Sequence, residues 1–123
     1  MRVRRFLVVP VVLALLASGG CVEAVPADAG PAIEIGGTDA MRFEPETITV
    51  KAGQPALIAF KNKGVIVHDY ISSGADKNVR LANVLGGREA KGIFQASKPG
   101  TYTVLCVQPG HKEAGMVGKI VVE

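Results

Sequence analysis

Cys106, His111 and Met116 follow one another at five-residue spacing near the end of the chain. They offer a thiolate, an imidazole and a thioether. Thiolate and imidazole bind copper in both of its common oxidation states, and a thioether is a weak ligand that favours the reduced ion. A trigonal plane needs one more strong donor, and the only other histidine in the chain is His68. Two imidazoles and a thiolate in a plane, with a long axial Met, form a mononuclear (type 1) copper site suited to one-electron transfer. The expected ligands are therefore His68, Cys106, His111 and Met116.

Taken singly, each residue has a plainer reading. A lone cysteine is commonly a small buried hydrophobe, and Met fills gaps in cores. A histidine at a strand end usually holds no metal. Taken together, both histidines, the one cysteine beyond the N-terminal region and the one methionine after Met41 fall into a single ligand arrangement. A non-metallated or differently metallated sandwich is the competing reading.

Strands must position these donors. Short β-branched and aromatic runs at 33–36, 47–50, 56–62, 65–72, 92–96, 101–107 and 116–122 are separated by turn residues. Seven or eight such strands in about 90 residues predict one all-β Greek-key sandwich over 33–123. Because side chains alternate along a strand, Tyr102, Val104 and Cys106 share a face, as do Ile48 with Val50, and Ala56 with Ile58 and Phe60. Cys106 then ends a core-facing row at one pole of the sandwich. Pro109 and Gly110 predict a turn just before His111, and Met116 is expected to open the last strand beside the one that Cys106 ends. Residues 73–87 break the pattern. Val79, Leu81, Val84 and Leu85 fit one side of a short helix loosely, with Asp76 as N-cap and Gly86 as stop, and an irregular insert fits equally.

The run Pro99-Gly-Thr-Tyr-Thr-Val-Leu-Cys106-Val-Gln-Pro-Gly-His111, followed by Gly115-Met116-Val-Gly118, resembles the C-terminal signature of the cupredoxins, small blue copper proteins. Upstream, Phe43-Glu-Pro-Glu-Thr-Ile48-Thr-Val50-Lys-Ala-Gly53 resembles that family's opening strands, and Asn62 followed by His68 falls where its first histidine ligand stands. The ligand spacing is similar to that of small bacterial membrane-tethered members such as the auracyanins. The resemblance implies that the backbone N–H of Asp69 reaches the Cys106 sulfur and that His111 presents its ring edge to partners. One departure concerns Asp69, which stands where many members carry Asn; a carboxylate accepts but does not donate, so the role of this side chain is open.

The N-terminus predicts export. Arg2, Arg4 and Arg5 precede an uncharged stretch, Phe6 to Leu16, and then small residues before Cys21. This is the pattern of a secretory leader over 1–20, too short to span a bilayer. Small residues before Cys21 resemble a lipoprotein processing site, although Ser18 stands where Leu is usual. Cys21 is thus the expected lipidation site, with plain secretion and a Cys21–Cys106 disulfide as alternatives. Residues 21–32, rich in Ala, Pro and acids, read as a flexible tether that reaches about 35 Å at about 3.3 Å per residue when extended. The protein is expected on the outer side of the cytoplasmic membrane, in the periplasm or at the cell surface.

Charge requires the leader to be set aside. Of 14 Lys and Arg, three lie in it, leaving 11 against 11 Asp and Glu. The signs segregate: 21–46 carries net −5 and 47–123 net +5. Nothing in this pattern supports nucleic-acid binding. It is compatible with an acidic redox partner, and a monomer is expected. Function then divides into a one-electron carrier between unnamed donor and acceptor proteins and, as the alternative, a copper sequestration or delivery protein. An enzyme is disfavoured because both histidines are used at one site, and the loop carries a single cysteine, which rules out a cysteine-bridged binuclear centre.

Overall fold

Strands form where β-branched and aromatic residues alternate with polar ones, and the computed structural model, which describes residues 24–123, has nine. They are β1 (Ile33–Thr38), β2 (Arg42–Glu44), β3 (Thr47–Val50), β4 (Ala56–Asn62), β5 (His68–Ser72), β6 (Arg80–Val84), β7 (Glu89–Phe94), β8 (Gly100–Leu105) and β9 (Val117–Val122). No helix occurs among the described residues. The expected leader, Cys21 and the first residues of the expected tether lie outside them, while 24–32 contains a turn closed by Ala29 N–H to Pro26 C=O and no strand.

Two sheets pack face to face. One has the order β2-β1-β4-β7 and the other β3-β9-β8-β5-β6. The chain crosses between them from β2 to β3, β3 to β4, β4 to β5, β6 to β7 and β7 to β8, as a Greek-key sandwich requires. β1 runs parallel to β4, with Ile33 opposite Ile58 and Gly37 opposite Asn62. β8 and β9 form an antiparallel ladder from Gly100 opposite Val122 to Leu105 opposite Val117. The two strands that flank the Cys–His–Met loop are therefore immediate neighbours.

The alternation predicted from sequence holds in the core. Ile48, Val50, Ala56, Ile58, Phe60, Val104 and Cys106 are buried. Three rings fill the space beneath the metal-binding pole: Phe43 packs edge-on against Tyr70 at 5.0 Å between centroids, and Phe60 stacks on Tyr70 at 5.6 Å. Such offset and edge-to-face pairs add to the stability gained from area burial alone.

The segment 73–87 is not a helix; 73–79 is irregular apart from a bridge between Lys77 and Gln95. Its second half is β6, an edge strand paired with β5. Val79, Leu81 and Val84 face the core while Ala82 and Asn83 are both exposed. The register slips between His68 and Tyr70, so two residues of β6 oppose Asp69, the arrangement of a β-bulge. Asn83 sits there at φ 55°, in the left-handed region that Asn tolerates better than most residues. The bulge breaks the two-residue period and leaves spacings that mimic a weak helical face. Asp76 caps no helix; its carboxylate accepts the Ser97 N–H, joining this segment to the β7–β8 connection.

Candidate metal centre

His68 is the first residue of β5, Cys106 follows the last residue of β8, His111 lies in the loop between β8 and β9, and Met116 directly precedes β9. The loop is closed at its base by Cys106 N–H to Met116 C=O at 3.2 Å. A turn at Pro109–Gly110 is fixed by His111 N–H to Gln108 C=O, with Gly110 at φ 80°, and Met116 N–H returns to His111 C=O. These bonds satisfy the loop backbone and aim the side chains inward.

The side chains converge. His68 Nδ1 and His111 Nδ1 stand 3.2 Å apart, and Cys106 Sγ lies 3.3 Å from His111 Nδ1. All three donor atoms fall within 4.8 Å of one another. Bonds of the length zinc makes, about 2.0 Å to nitrogen and 2.3 Å to sulfur, put donors of a trigonal plane about 3.5–3.7 Å apart, and the separations from His111 Nδ1 to the other two donors are already close to this. His68, Cys106 and Met116 are fully buried and His111 is 9% exposed, making it the one route from the site to the surface among the four.

Close packing holds Met116 in place. A Cβ on Gly37 would come within 2.5 Å of the Phe60 ring and 3.4 Å of Met116 Cε. Only glycine lets β1 approach this closely. The sulfur of Cys106 accepts the Asp69 backbone N–H at 3.3 Å. Burial pushes the Cys106 thiol above its ordinary range, aided by the Asp69 charge and opposed by the Asp69 and Gln108 N–H groups. Metal binding to such a thiol releases its proton.

Asp69 has a role after all. Its Oδ1 accepts the Asn83 backbone N–H at 2.6 Å and the Gln108 side-chain amide at 3.0 Å, and the same amide donates to Asn83 Oδ1 at 3.0 Å. One buried carboxylate thus ties the His68 strand, the β6 bulge and the Cys106 loop together. Asn62 does the equivalent on the other side: its amide donates to Ile66 C=O and Val84 C=O, and its carbonyl accepts the Gly64 N–H. This explains why β5 begins at His68 rather than at residue 65.

Asp39, in the β1–β2 turn, had no place in the sequence reading. Its carboxylate accepts the Val65 and Ile66 N–H groups and lies 3.4 Å from His68 Nε2. Those two backbone bonds hold its carboxyl below the usual value against the opposing effect of desolvation, with His68 adding less. A signal did exist in Thr38-Asp39-Ala40, a turn between two sheet segments, but β2 is too short to register as a strand.

The fold and the donor set define a β-sandwich protein with a type 1 copper site. The family described as Cupredoxin-like domain matches residues 6–122, and the chain belongs to that family. The copper-resistant cuproprotein CopI of Rubrivivax gelatinosus is 31% identical over 118 residues, covering 79% of this chain and 71% of that protein. Auracyanin A, a "blue" copper protein from the green thermophilic photosynthetic bacterium Chloroflexus aurantiacus, superposes with a TM-score of 0.63 at 31% identity, covering 76% of this chain and 98% of its own. A multicopper oxidase shares the fold alone, with a TM-score of 0.62 at 19% identity and 41% of its length covered.

Proposed function

We propose that this protein is a one-electron carrier, with His68, Cys106 and His111 as the equatorial ligands of a single copper ion and Met116 as the axial one. Bound copper supplies the couple, Cu(II)/Cu(I). The chain supplies a loop closed by backbone hydrogen bonds, which limits how far the donors can move between the two states. The observation that carries this reading is the convergence of two Nδ1 atoms and one Sγ inside a closed hydrogen-bonded frame. His111, the partly exposed ligand, is the exit for the electron, and the exposed apolar side chains of Val65, Leu85 and Val107 suit brief docking of partner redox proteins. Both histidines of the chain are used, which leaves none for the second copper centre of an oxidase, so the protein is not an enzyme in its own right. The leader pattern and the small residues before Cys21 support export and anchoring, and with them an exchange outside the cytoplasmic membrane.

Copper sequestration or delivery is the second reading, favoured by the likeness to a copper-resistant cuproprotein. One experiment separates the two. The copper-loaded carrier absorbs intensely in the visible through thiolate-to-Cu(II) charge transfer and is reduced and reoxidised with its metal retained. Ready loss of copper to an acceptor, with no stable oxidised form, would favour delivery. The variant Cys106→Ser is expected to lose the intense band; a variant that kept it would remove Cys106 from the site.

A further inference from the structure

We propose that Asp39 is a positioning residue for the copper centre, its carboxylate accepting a hydrogen bond from the Nε2–H of His68 and so fixing that imidazole with Nδ1 turned to Cys106 and His111. The proposal rests on the ligand assignment above and extends it beyond the four ligands. A histidine that binds metal through one nitrogen commonly donates from the other to a carboxylate, carbonyl or water, which sets its tautomer and makes it a stronger donor. Here the other nitrogen, Nε2, faces Asp39 Oδ1 at 3.4 Å, while Nδ1 points into the ligand cluster.

The carboxylate is itself held. Val65 N–H donates to Asp39 Oδ2 at 2.9 Å and Ile66 N–H donates to Oδ1 at 3.1 Å. A Cβ on Gly64 would fall 1.9 Å from Oδ1, so the residue at 64 must be glycine for the carboxylate to sit where it does. Asp39 comes from one sheet and His68 from the other, so the contact bridges the sandwich at its metal-binding pole. A negative charge behind an imidazole ligand favours Cu(II) over Cu(I), and its removal raises the reduction potential.

The test uses the full chain, metal-free and copper-loaded, as wild type, Asp39→Asn and Gly64→Ala. In the metal-free protein, nitrogen-detected NMR of His68 is expected to find the proton on Nε2. Partners behind a metal-bound residue typically alter metal affinity about 10-fold or more. A tenfold selective loss of Cu(II) binding in Asp39→Asn corresponds to a potential about 59 mV higher for a one-electron couple. Asn still accepts a backbone N–H, so a purely structural role predicts an unchanged potential. Gly64→Ala keeps the charge but displaces it and should shift the potential in the same direction, which preserves the test if Asp39→Asn folds poorly. A His68 proton on Nδ1 in the metal-free wild type, or wild-type potentials in both variants, would overturn the proposal. A wild type without the intense copper band would sink the ligand assignment instead, while the metal-free NMR would still judge the Asp39–His68 contact.

Discussion

Replacing Asp69 by Ala should be among the most damaging single changes near the site that spares every ligand. The side chain is 1% exposed and accepts two hydrogen bonds, from Asn83 N–H and the Gln108 amide. Hydrogen bonds to charged groups contribute about 1.5–3 kcal/mol each. The Gln108 amide keeps its second acceptor, Asn83 Oδ1, so its loss counts at the low end. The Asn83 N–H loses its side-chain acceptor at a bulge where the backbone is already in the left-handed region. A net loss of about 3 kcal/mol follows, which in a domain of this size lowers the melting temperature by about 12–24 °C at roughly 4–8 °C per kcal/mol. Asp69→Asn keeps a carbonyl in the same place and removes a buried charge, so it should stay within about 1 kcal/mol of wild type. The assay is urea unfolding of the metal-free protein, because bound metal would add its own stabilisation. An Asp69→Ala protein within about 0.5 kcal/mol of wild type, the range of an ordinary surface change, would refute the stapling role. Equal damage in Asp69→Asn would show that charge, not the acceptor, matters.

Met116→Leu should retain copper and raise the reduction potential: a thioether suits Cu(I) better than harder donors do, but an alkyl group donates nothing, and losing a donor costs the more highly charged Cu(II) more; voltammetry reading an unchanged potential would remove Met116 from the axial position. Gly37→Ala should cost about 1–3 kcal/mol by overpacking, since Phe60 is fully buried and has no room to yield, and it should change the copper spectrum through Met116; wild-type melting and spectrum would contradict the close approach. Asp76 has its carboxyl held below the ordinary value, first by the Ser97 N–H and then by the Ser97 side chain. A group lowered in the folded state stabilises above its unfolded value, 3.8, and loses that contribution as pH falls through the lower folded value. Wild type should therefore lose stability relative to Asp76→Asn only below about pH 4; unfolding curves at pH 3 and pH 7 with the same difference between the two proteins would contradict this.

The donors were legible because their chemistry is scarce. With two histidines in the chain, His68 had to join His111 if a plane was to form at all. Strand alternation placed Cys106 at the end of a buried row, and the structure agrees. What stayed hidden was whatever depends on an exception to periodicity. β6 reads as a poor helix because the bulge at Ala82 and Asn83 shifts Val84 into the core one residue late. β2 is three residues long and carries a single apolar side chain, Phe43, too little for any period to emerge. Asp39, Asn62 and Gln108 hold the site through bonds to backbone or to groups distant in sequence, and a linear pattern carries no sign of such pairings. Asp69 could be seen as a departure from the family habit, but its partner Asn83 lies in the segment whose strand went unrecognised.

The direction of β1 has a mechanical consequence. Gly37, at one end of it, touches the Met116 and Phe60 side chains of the copper pole, whereas Ile33, four residues earlier, lies about 13 Å back along the strand at 3.3 Å per residue. The chain thus enters the sandwich at the end remote from the metal, beside Thr49, Gln54 and Pro55. Any restraint applied upstream of residue 24 grips the domain by its base. Such a grip would leave the face around His111 at the opposite end of the sandwich, clear of the attachment.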